Sequence, residues 1–584
     1  MAPRSLRLAI LQLNSTVGDL TANSAAILKM LRLAEGAGAD LAVTPELSLT
    51  GYPPEDLLLR PQFIRSAKDQ LRRLASQTRS TALVCGYPEA ADHPAVLRGK
   101  TYNAAAVLHQ KHLAANYRKM ALPNYGVFDE QRYFTPGSHP LALDLRGKSG
   151  SQARVAVSIC EDLWPDGGGI FFKALAKSRP DILINLSASP FARGKMAERL
   201  EAMKAAARIT GAHIVYVNLI GGQDELVFDG RSFVMAPDGK LIGRAAAFAE
   251  DMLCVDIPLR GNGTRRHTSA STIHKTLQLT KISNSRTAKN TPPPTQWPAA
   301  GSDEEVLAGI ELSLRDYVQK NRFASVGVAM SGGIDSALVA AIAVRALGPQ
   351  KVIGVTLPSN ITSKATLADA VAQSKTMGIQ FFNIPIRSIM SSFLTVLQPS
   401  TRDGSGGAME ENLQARVRGT VMMALSNRMG FLLLATGNKS ELATGYCTLY
   451  GDMAGGFAPI KDLTKGWVYR LAKCINRLES RPWIPVSVIR RAPTAELKPG
   501  QKDQDTLPPY PILDDILEQY VERDIPAQPL IRSGHKSTHV LDTARRVLLN
   551  EYKRRQAPIG PKISQKAFGR DRRMPITQRA GEQY

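Results

Sequence analysis

"SVGVAMSGGIDSALVAAIAVRALG" (325–348) changes character twice within two dozen residues. The apolar run to Met330, carrying Val326 and Val328, has the make-up of a buried strand. Ser331–Asp335 is a loop with two adjacent glycines, and the Ala/Leu-rich stretch 336–348 is composed of helix formers. The same alternation continues downstream. "KVIGVTLPS" (351–359) and "FFNIPI" (381–386) read as strands around a helix, "SKATLADAVAQSKTMG" (363–378), and "GFLLLATGN" (430–438) is a further strand ending in a Gly-Asn turn. Upstream, "SDEEVLAGIELSLRDYVQKN" (302–321) is a helix with Ser302 at its N-cap and acids in its first turn. Strand–loop–helix units in series predict a doubly wound parallel sheet, whose ligands bind beyond the carboxyl ends of the strands.

The loop has the chemistry of an anion site. Gly332 and Gly333 let backbone N–H groups approach an anion closely, Ser331 and Ser336 add hydroxyls, and the following helix presents its positive end. There is no GxxxxGK[ST], which excludes a Walker-type nucleotide loop. Asp335 would repel a phosphate unless a cation intervened, so its presence implies Mg2+. The plain alternative is an ordinary glycine-rich turn; the strand–loop–helix setting favours the anion site.

The first 258 residues form another alternating pattern. Strands are expected at 7–13, 40–46, 82–88, 102–109, 153–160, 181–188, 213–221 and 230–237, with helices at 21–39 and 194–212, which predicts a layered α/β domain. Residues 259–300 are polar, basic and rich in Ser, Thr and Pro, as expected of a linker. The expected organisation is therefore 1–258, a linker over 259–300, and a second domain over 301–584 with a basic tail. No internal repeat relates the halves.

Composition narrows the class. Cys85, Cys160, Cys254, Cys447 and Cys474 are scattered, without a CxxC pair, which argues against a zinc site or disulfide framework and for a reducing, cytoplasmic setting. The first apolar stretch is broken by Gln12 and Asn14, and no later one is long enough to span a bilayer, so no membrane association is expected. The net charge of +23 raises nucleic-acid binding. Yet residues 260–290 and 553–584 carry 14 of those charges, on a linker and a tail with few aromatic platforms. Small phosphate-bearing substrates account for such a surplus, and no nucleic-acid partner is expected.

The loop "SGGIDS" resembles that of the ATP pyrophosphatase superfamily, with its adenine nucleotide α hydrolase-like fold, which holds the pyrophosphate leaving when ATP adenylates a substrate. "LATGNKSELATGYCTLYGDMAGGFAPIKDLTK" (434–465) is closely similar to the NAD synthetase signature, and "EENLQARVRG" (410–419), "RAPTAELKPGQKDQDTLPPY" (491–510) and "KISQKAFGRDRRMPI" (562–576) extend the match. The resemblance implies adenylation of the nicotinate carboxyl of deamido-NAD (nicotinic acid adenine dinucleotide) by ATP, then displacement of AMP by ammonia. By matching position, Ser331, Gly332, Gly333, Ile334, Asp335, Ser336, Thr436, Lys465 and Thr494 would contact ATP. Asp335 and Glu441 would share Mg2+, and Asn412, Glu441 and Lys566 would contact deamido-NAD. Cys447 stands where many relatives carry Ser, with no expected loss of function.

That reaction needs ammonia, and "VSICEDLWP" (157–165) offers a source. Cys160 ends an apolar run and would attack a glutamine carboxamide. Glu46, in "DLAVTPELSLTG", would move the proton, and Lys119, in "YRKMALPNYG", would stabilise the oxyanion and lower the thiol pKa. Glu130 would orient Lys119. This Glu–Lys–Cys set, with its flanks, resembles the nitrilase superfamily and implies an α-β-β-α sandwich. In glutamine-using NAD synthetases the positions of Tyr125, Ser187 and Arg193 hold glutamine, although relatives often carry Lys at the last. The adjacent acids Glu161 and Asp162 are expected to turn from the sulfur and hold backbone amides.

The expected activity is glutamine-dependent NAD synthesis at two sites, with ammonia passed internally through a channel, in a homo-oligomer as in relatives. Another amidotransferase of the same superfamily is the alternative. Asparagine synthetase needs a cysteine where this chain has Ala2, and GMP synthetase a GxCxG element that is absent. Intact Cys160, Glu46, Lys119, Asp335 and Glu441 argue against a nucleotide sensor with decayed catalysis.

Overall fold

The computed structural model describes residues 5–90, 101–146, 152–164, 168–175, 178–259, 273–279, 296–397, 407–494, 496–498 and 500–580. The chain divides into two compact units, Met1–Gln223 with Phe228–Ala300, and Gly301–Tyr584 with Asp224–Val227.

The first unit holds two large sheets. One has six strands in the order Asp251–Pro258, Ser5–Gln12, Leu41–Val43, Ala82–Ala90, Thr101–His109, His112–Arg118. The other has seven: Leu241–Arg244, Phe233–Met235, His213–Asn218, Ile182–Ser187, Gln152–Ile159, Leu141–Arg146 and Ile273–Gln278. The two-residue repeat of a strand separates the layers. On Ser5–Gln12, Leu6, Leu8 and Ile10 join a core that also contains Val155, Val157 and Ile184 of the second sheet. The intervening Ala9 and Leu11 pack with Ile27, Leu31, Leu71 and Leu74, from helices Leu20–Gly36 and Pro61–Gln77. Met203 and Ala206 of helix Lys195–Thr210 cover the second sheet. The result is the expected α-β-β-α sandwich.

In these two sheets five strands escape the sequence reading, at His112–Arg118, Leu141–Arg146, Leu241–Arg244, Asp251–Pro258 and Ile273–Gln278. The last corrects the linker expected over 259–300. It pairs in parallel with Leu141–Arg146 as an edge strand, so part of that segment belongs to the sandwich. "IHKTLQ" is too polar to stand out, as befits an edge with one solvated face. Residues 260–272 and 280–295, where flexibility was expected, lie outside the described residues.

The second unit has a four-stranded parallel sheet ordered Gln380–Asn383, Val352–Thr356, Val326–Ala329, Leu432–Leu434. The chain runs outward from Val326–Ala329 through Val352–Thr356 to Gln380–Asn383, then crosses back to Leu432–Leu434 on the other side of Val326–Ala329, a topological switch point that opens a crevice beyond its carboxyl end. Helix Ile334–Leu347 is buried along most of its length, and helix Asp303–Lys320 is capped by Ser302, whose Oγ accepts from Glu305 N. The expected basic tail is docked rather than loose. Asp462 accepts the amides of Ile563 and Ser564, and the fully buried Lys439 donates to Ser564 Oγ and Lys566 O. Among the described residues, no helix is long and apolar enough to cross a membrane.

Candidate active sites

In the sandwich, Cys160 sits at the carboxyl end of Gln152–Ile159, on the first residue of a short 3-10 turn, Cys160–Leu163. Its φ of +41° is rare for a residue with a Cβ and marks a strained elbow that aims the side chain away from the strand. The thiol is buried. Glu46 follows Leu41–Val43, and Lys119 follows His112–Arg118. Gly86 lets the Glu46 loop come close, because a Cβ there would lie 2.4 Å from Pro45 O and 2.5 Å from Leu47 N.

Lys119 is the hub. Its ammonium donates to Glu46 Oε1 at 2.7 Å and to Glu130 Oε1 at 2.9 Å, all three groups being buried. Asn103 Nδ2 and the Ala188 amide hold Glu46 at 2.7 and 2.9 Å, and Tyr52 OH donates to Glu130 at 3.0 Å. Removing Lys119 would strand two buried carboxylates, at a cost of about 3–5 kcal/mol. Burial opposes the ammonium, but Glu130 and Glu46 outweigh it and keep its pKa high. Burial pushes Glu130 up to about 7 against the pull of Lys119.

Cys160 departs from expectation. Burial, followed by Glu46, drives its pKa well above the ordinary thiol value; Lys119 lowers it, as expected, without prevailing. The resting sulfur is therefore a thiol, and a base must act at the moment of attack. The neighbouring acids divide. Asp162 holds backbone amides, with Oδ2 accepting from Ile159 N at 2.8 Å and Oδ1 from Met120 N and Ala121 N at 3.0 and 2.8 Å. Glu161 does not drop out of the electrostatics: it raises the thiol pKa and accepts a 3.0 Å bond from Tyr125 OH.

Of the three residues expected to hold glutamine, Tyr125 is half-exposed, and Arg193 is half-buried. Ser187 is fully buried and gives its hydroxyl to Asn185 Oδ1 at 2.6 Å, while Asn185 Nδ2 donates to Cys160 O at 3.3 Å. Asn103, Tyr52 and Asn185 were missed, since a lone polar residue in an apolar strand, or a tyrosine in a loop, carries no signal until its partner is known.

In the second unit a cavity of about 250 Å3 lies at the switch point. It is lined by Ser331–Ser336 together with Thr436, Glu441, Lys465 and Thr494, as expected. Ser336 Oγ receives the Ser331 amide and Ser331 Oγ the Gly333 amide, both at 3.2 Å, so the loop is tied to itself. Lys465 Nζ bridges Asp335 Oδ2 at 2.6 Å and Glu441 Oε1 at 3.0 Å. Asn438 Nδ2 donates to Asp335 Oδ1 at 2.8 Å. Burial, opposed by Lys465, lifts Glu441 to about 7, and Asp335 and Glu441 keep the Lys465 pKa high despite burial.

Two expected residues stand apart. Asn412 does not line this cavity and accepts from Thr448 Oγ1 at 2.9 Å; Lys566 is ion-paired to Asp524 at 2.6 Å. Conversely, Arg418 and Arg491 line the cavity without having been singled out. Arg491 donates to Gly332 O at 2.9 Å and pairs with Asp369, and burial lowers Arg418 to about 10. Both lay inside matched motifs, where an arginine reads as a solvated surface charge.

Fold and sites define a carbon–nitrogen hydrolase joined to an ATP-using synthetase. Family models agree: that of carbon–nitrogen hydrolases matches residues 7–266 and that of NAD synthases residues 306–557. The chain is 42% identical to a glutamine-dependent NAD(+) synthetase of Thermotoga maritima, over 99% of this chain and 100% of that one. It is 42% identical to one of Aquifex aeolicus, over 98% and 99%. The solved glutamine-dependent NAD+ synthetase of Acinetobacter baumannii, in complex with ADP, superposes with a TM-score of 0.73 at 38% identity, over 98% of each chain. The chain belongs to the glutamine-dependent NAD(+) synthetases, ATP-dependent carbon–nitrogen ligases that amidate deamido-NAD with nitrogen from glutamine.

Proposed function

We propose that the two halves of this reaction are carried by the residue sets above. The observation that carries the first is the buried Lys119 ammonium between Glu46 and Glu130, with Cys160 on a strained elbow at the end of its strand. Glu46 takes the Cys160 proton as sulfur attacks the glutamine carboxamide carbon. Lys119 stabilises the tetrahedral oxyanion. The proton passes from Glu46 to the departing nitrogen, ammonia leaves, and water, deprotonated by Glu46, cleaves the thioester to glutamate. Glu130 orients Lys119; Tyr125, Ser187 and Arg193 position glutamine, Ser187 through the Asn185 contact that also braces the elbow.

At the second site, Ser331–Ser336 cradles the ATP phosphates, with Thr436 and Thr494 beside them, and Lys465 neutralises phosphate charge. Asp335 and Glu441 already converge on one cation, the Lys465 ammonium, and this hard-oxygen pair fits Mg2+. Bound there, Mg2+ would offset charge on the transferring phosphates. Glu441, Asn412 and Lys566 contact deamido-NAD. We extend the proposal to a glutaminase domain at 1–258 completed by strand Ile273–Gln278, a synthetase domain at 301–584, a cytoplasmic homo-oligomer, and no nucleic-acid partner. Sedimentation analysis and a gel shift with random RNA at physiological salt test the last two.

The central experiment supplies deamido-NAD, ATP, Mg2+ and glutamine, and measures NAD, AMP and pyrophosphate. It is repeated with ammonium and with Cys160→Ala. The variant is expected to lose glutamine use and keep ammonium use; loss of both in a folded variant contradicts the division of roles.

A further inference from the structure

Asp162 is fully buried and saturated with donors from two separate segments. Its Oδ2 accepts the Ile159 amide at 2.8 Å and Tyr117 OH at 2.6 Å. Its Oδ1 accepts the Met120 and Ala121 amides at 3.0 and 2.8 Å. Ile159 precedes Cys160 at the elbow, while Tyr117, Met120 and Ala121 flank Lys119. Cys160 closes a strand of the seven-stranded sheet and Lys119 follows the edge strand of the six-stranded one. Among the described residues no strand pairing links these two sheets, so the separation of the two loops is left to core packing and to the side chains that tie them.

We propose that Asp162 is the positioning residue that sets the distance between the Cys160 elbow and the Lys119 ammonium, and so the fit of the oxyanion between them. The inference rests on the roles proposed for Cys160 and Lys119. A carboxylate suits the task because all four neighbours donate and both oxygens only accept. Asparagine would turn an NH2 either toward the Met120 and Ala121 amides or toward the Ile159 amide, so at least one contact breaks and donor is set against donor. Its negative charge, which alone would oppose a thiolate, is spread over four hydrogen bonds.

The test uses the full chain. In Asp162→Asn the glutamine-dependent kcat is expected to fall about 100-fold, the loss typical of a displacement near 1 Å. The glutamine KM should stay within about 3-fold, and ammonium-driven synthesis, which needs no glutaminase, should hold. A merely structural role would lower the melting temperature and both activities together. Tyr117→Phe removes one of the four donors and is expected to lower glutamine-dependent kcat about 3- to 10-fold at unchanged KM, which decides the matter where Asp162→Asn does not fold. Unchanged kcat in a folded Asp162→Asn or in Tyr117→Phe, or a rise in KM alone, overturns the proposal. Cys160→Ala run alongside separates the layers: if it keeps glutamine use, the underlying reading fails; if it loses glutamine use while Asp162→Asn does not, only this inference fails.

Discussion

Gly332→Ala isolates the phosphate loop. Gly332 has φ +81°, and a Cβ placed there would lie 2.2 Å from Thr366 O and 2.6 Å from Thr366 Cγ2. A relaxed carbon–oxygen contact is about 3.3 Å, so loop and helix must part by about 1 Å. Thr366 has little room to yield: its amide donates the N-cap bond to Ser363 Oγ at 3.1 Å, and its hydroxyl donates to Glu496 at 2.6 Å. The loop therefore moves. The left-handed conformation adds about 1–2 kcal/mol for a residue with a side chain. A displacement of about 1 Å costs about 100-fold in rate, equivalent to about 2.7 kcal/mol. We expect kcat/KM for ATP to drop between about 100- and 1,000-fold, equally with glutamine and with ammonium, because both nitrogen sources need the same adenylate. Initial rates of NAD formation read this out, and an unchanged rate of Cys160 alkylation shows that the sandwich is intact. Activity within about 3-fold of wild type in a folded variant, or a loss confined to glutamine, would refute the reasoning.

Three further outcomes follow from the electrostatics. Glu130, lifted to about 7 by burial, takes up a proton as pH falls and loses the charged carboxylate that orients Lys119, so glutamine-dependent kcat should decline below about pH 7; Glu130→Gln should be low and flat there, and an identical acid limb in that variant excludes Glu130 as its source. Because burial holds Cys160 well above the ordinary thiol range, iodoacetamide should alkylate it about tenfold faster per pH unit from 7 to 9 without glutamine, whereas a plateau below pH 8 would mean a stabilised thiolate. Asp335→Asn removes one of the two charges that meet at Lys465, so the Mg2+ needed for half-maximal synthesis should rise at least about tenfold with either nitrogen source; an unchanged Mg2+ curve removes Asp335 from that role.

Much of the second site was legible because its residues are close in sequence. Ser331–Ser336 is a continuous loop, and Thr436, Glu441 and Lys465 lie within one motif. The strands beneath them are short apolar runs between turns, a pattern visible without neighbours. Edge strands were not: His112–Arg118 and Ile273–Gln278 lack the apolar alternation of central strands because one side is solvated. Asn412 and Lys566, proposed to contact deamido-NAD, lie outside the lining of the cavity at the second site, so their role rests on matching position alone.

The sequence by itself determined the layered α/β architecture and the glycine-rich loop after an apolar strand, which follow from hydrophobic period and glycine freedom; its resemblance to known families nominated that loop for adenylation and Glu46, Lys119 and Cys160 for glutamine hydrolysis. Only the tertiary structure decided the protonation of the site. An acid next to a cysteine in sequence says little about the thiol, because a side chain's field depends on where it points and on what surrounds it. Folding turned Asp162 toward amides 42 and 41 residues away, left Glu161 acting on the sulfur, and buried Cys160 deeply enough that desolvation outweighs Lys119. Burial is a property of the whole packed sandwich, so no short stretch of chain encodes it.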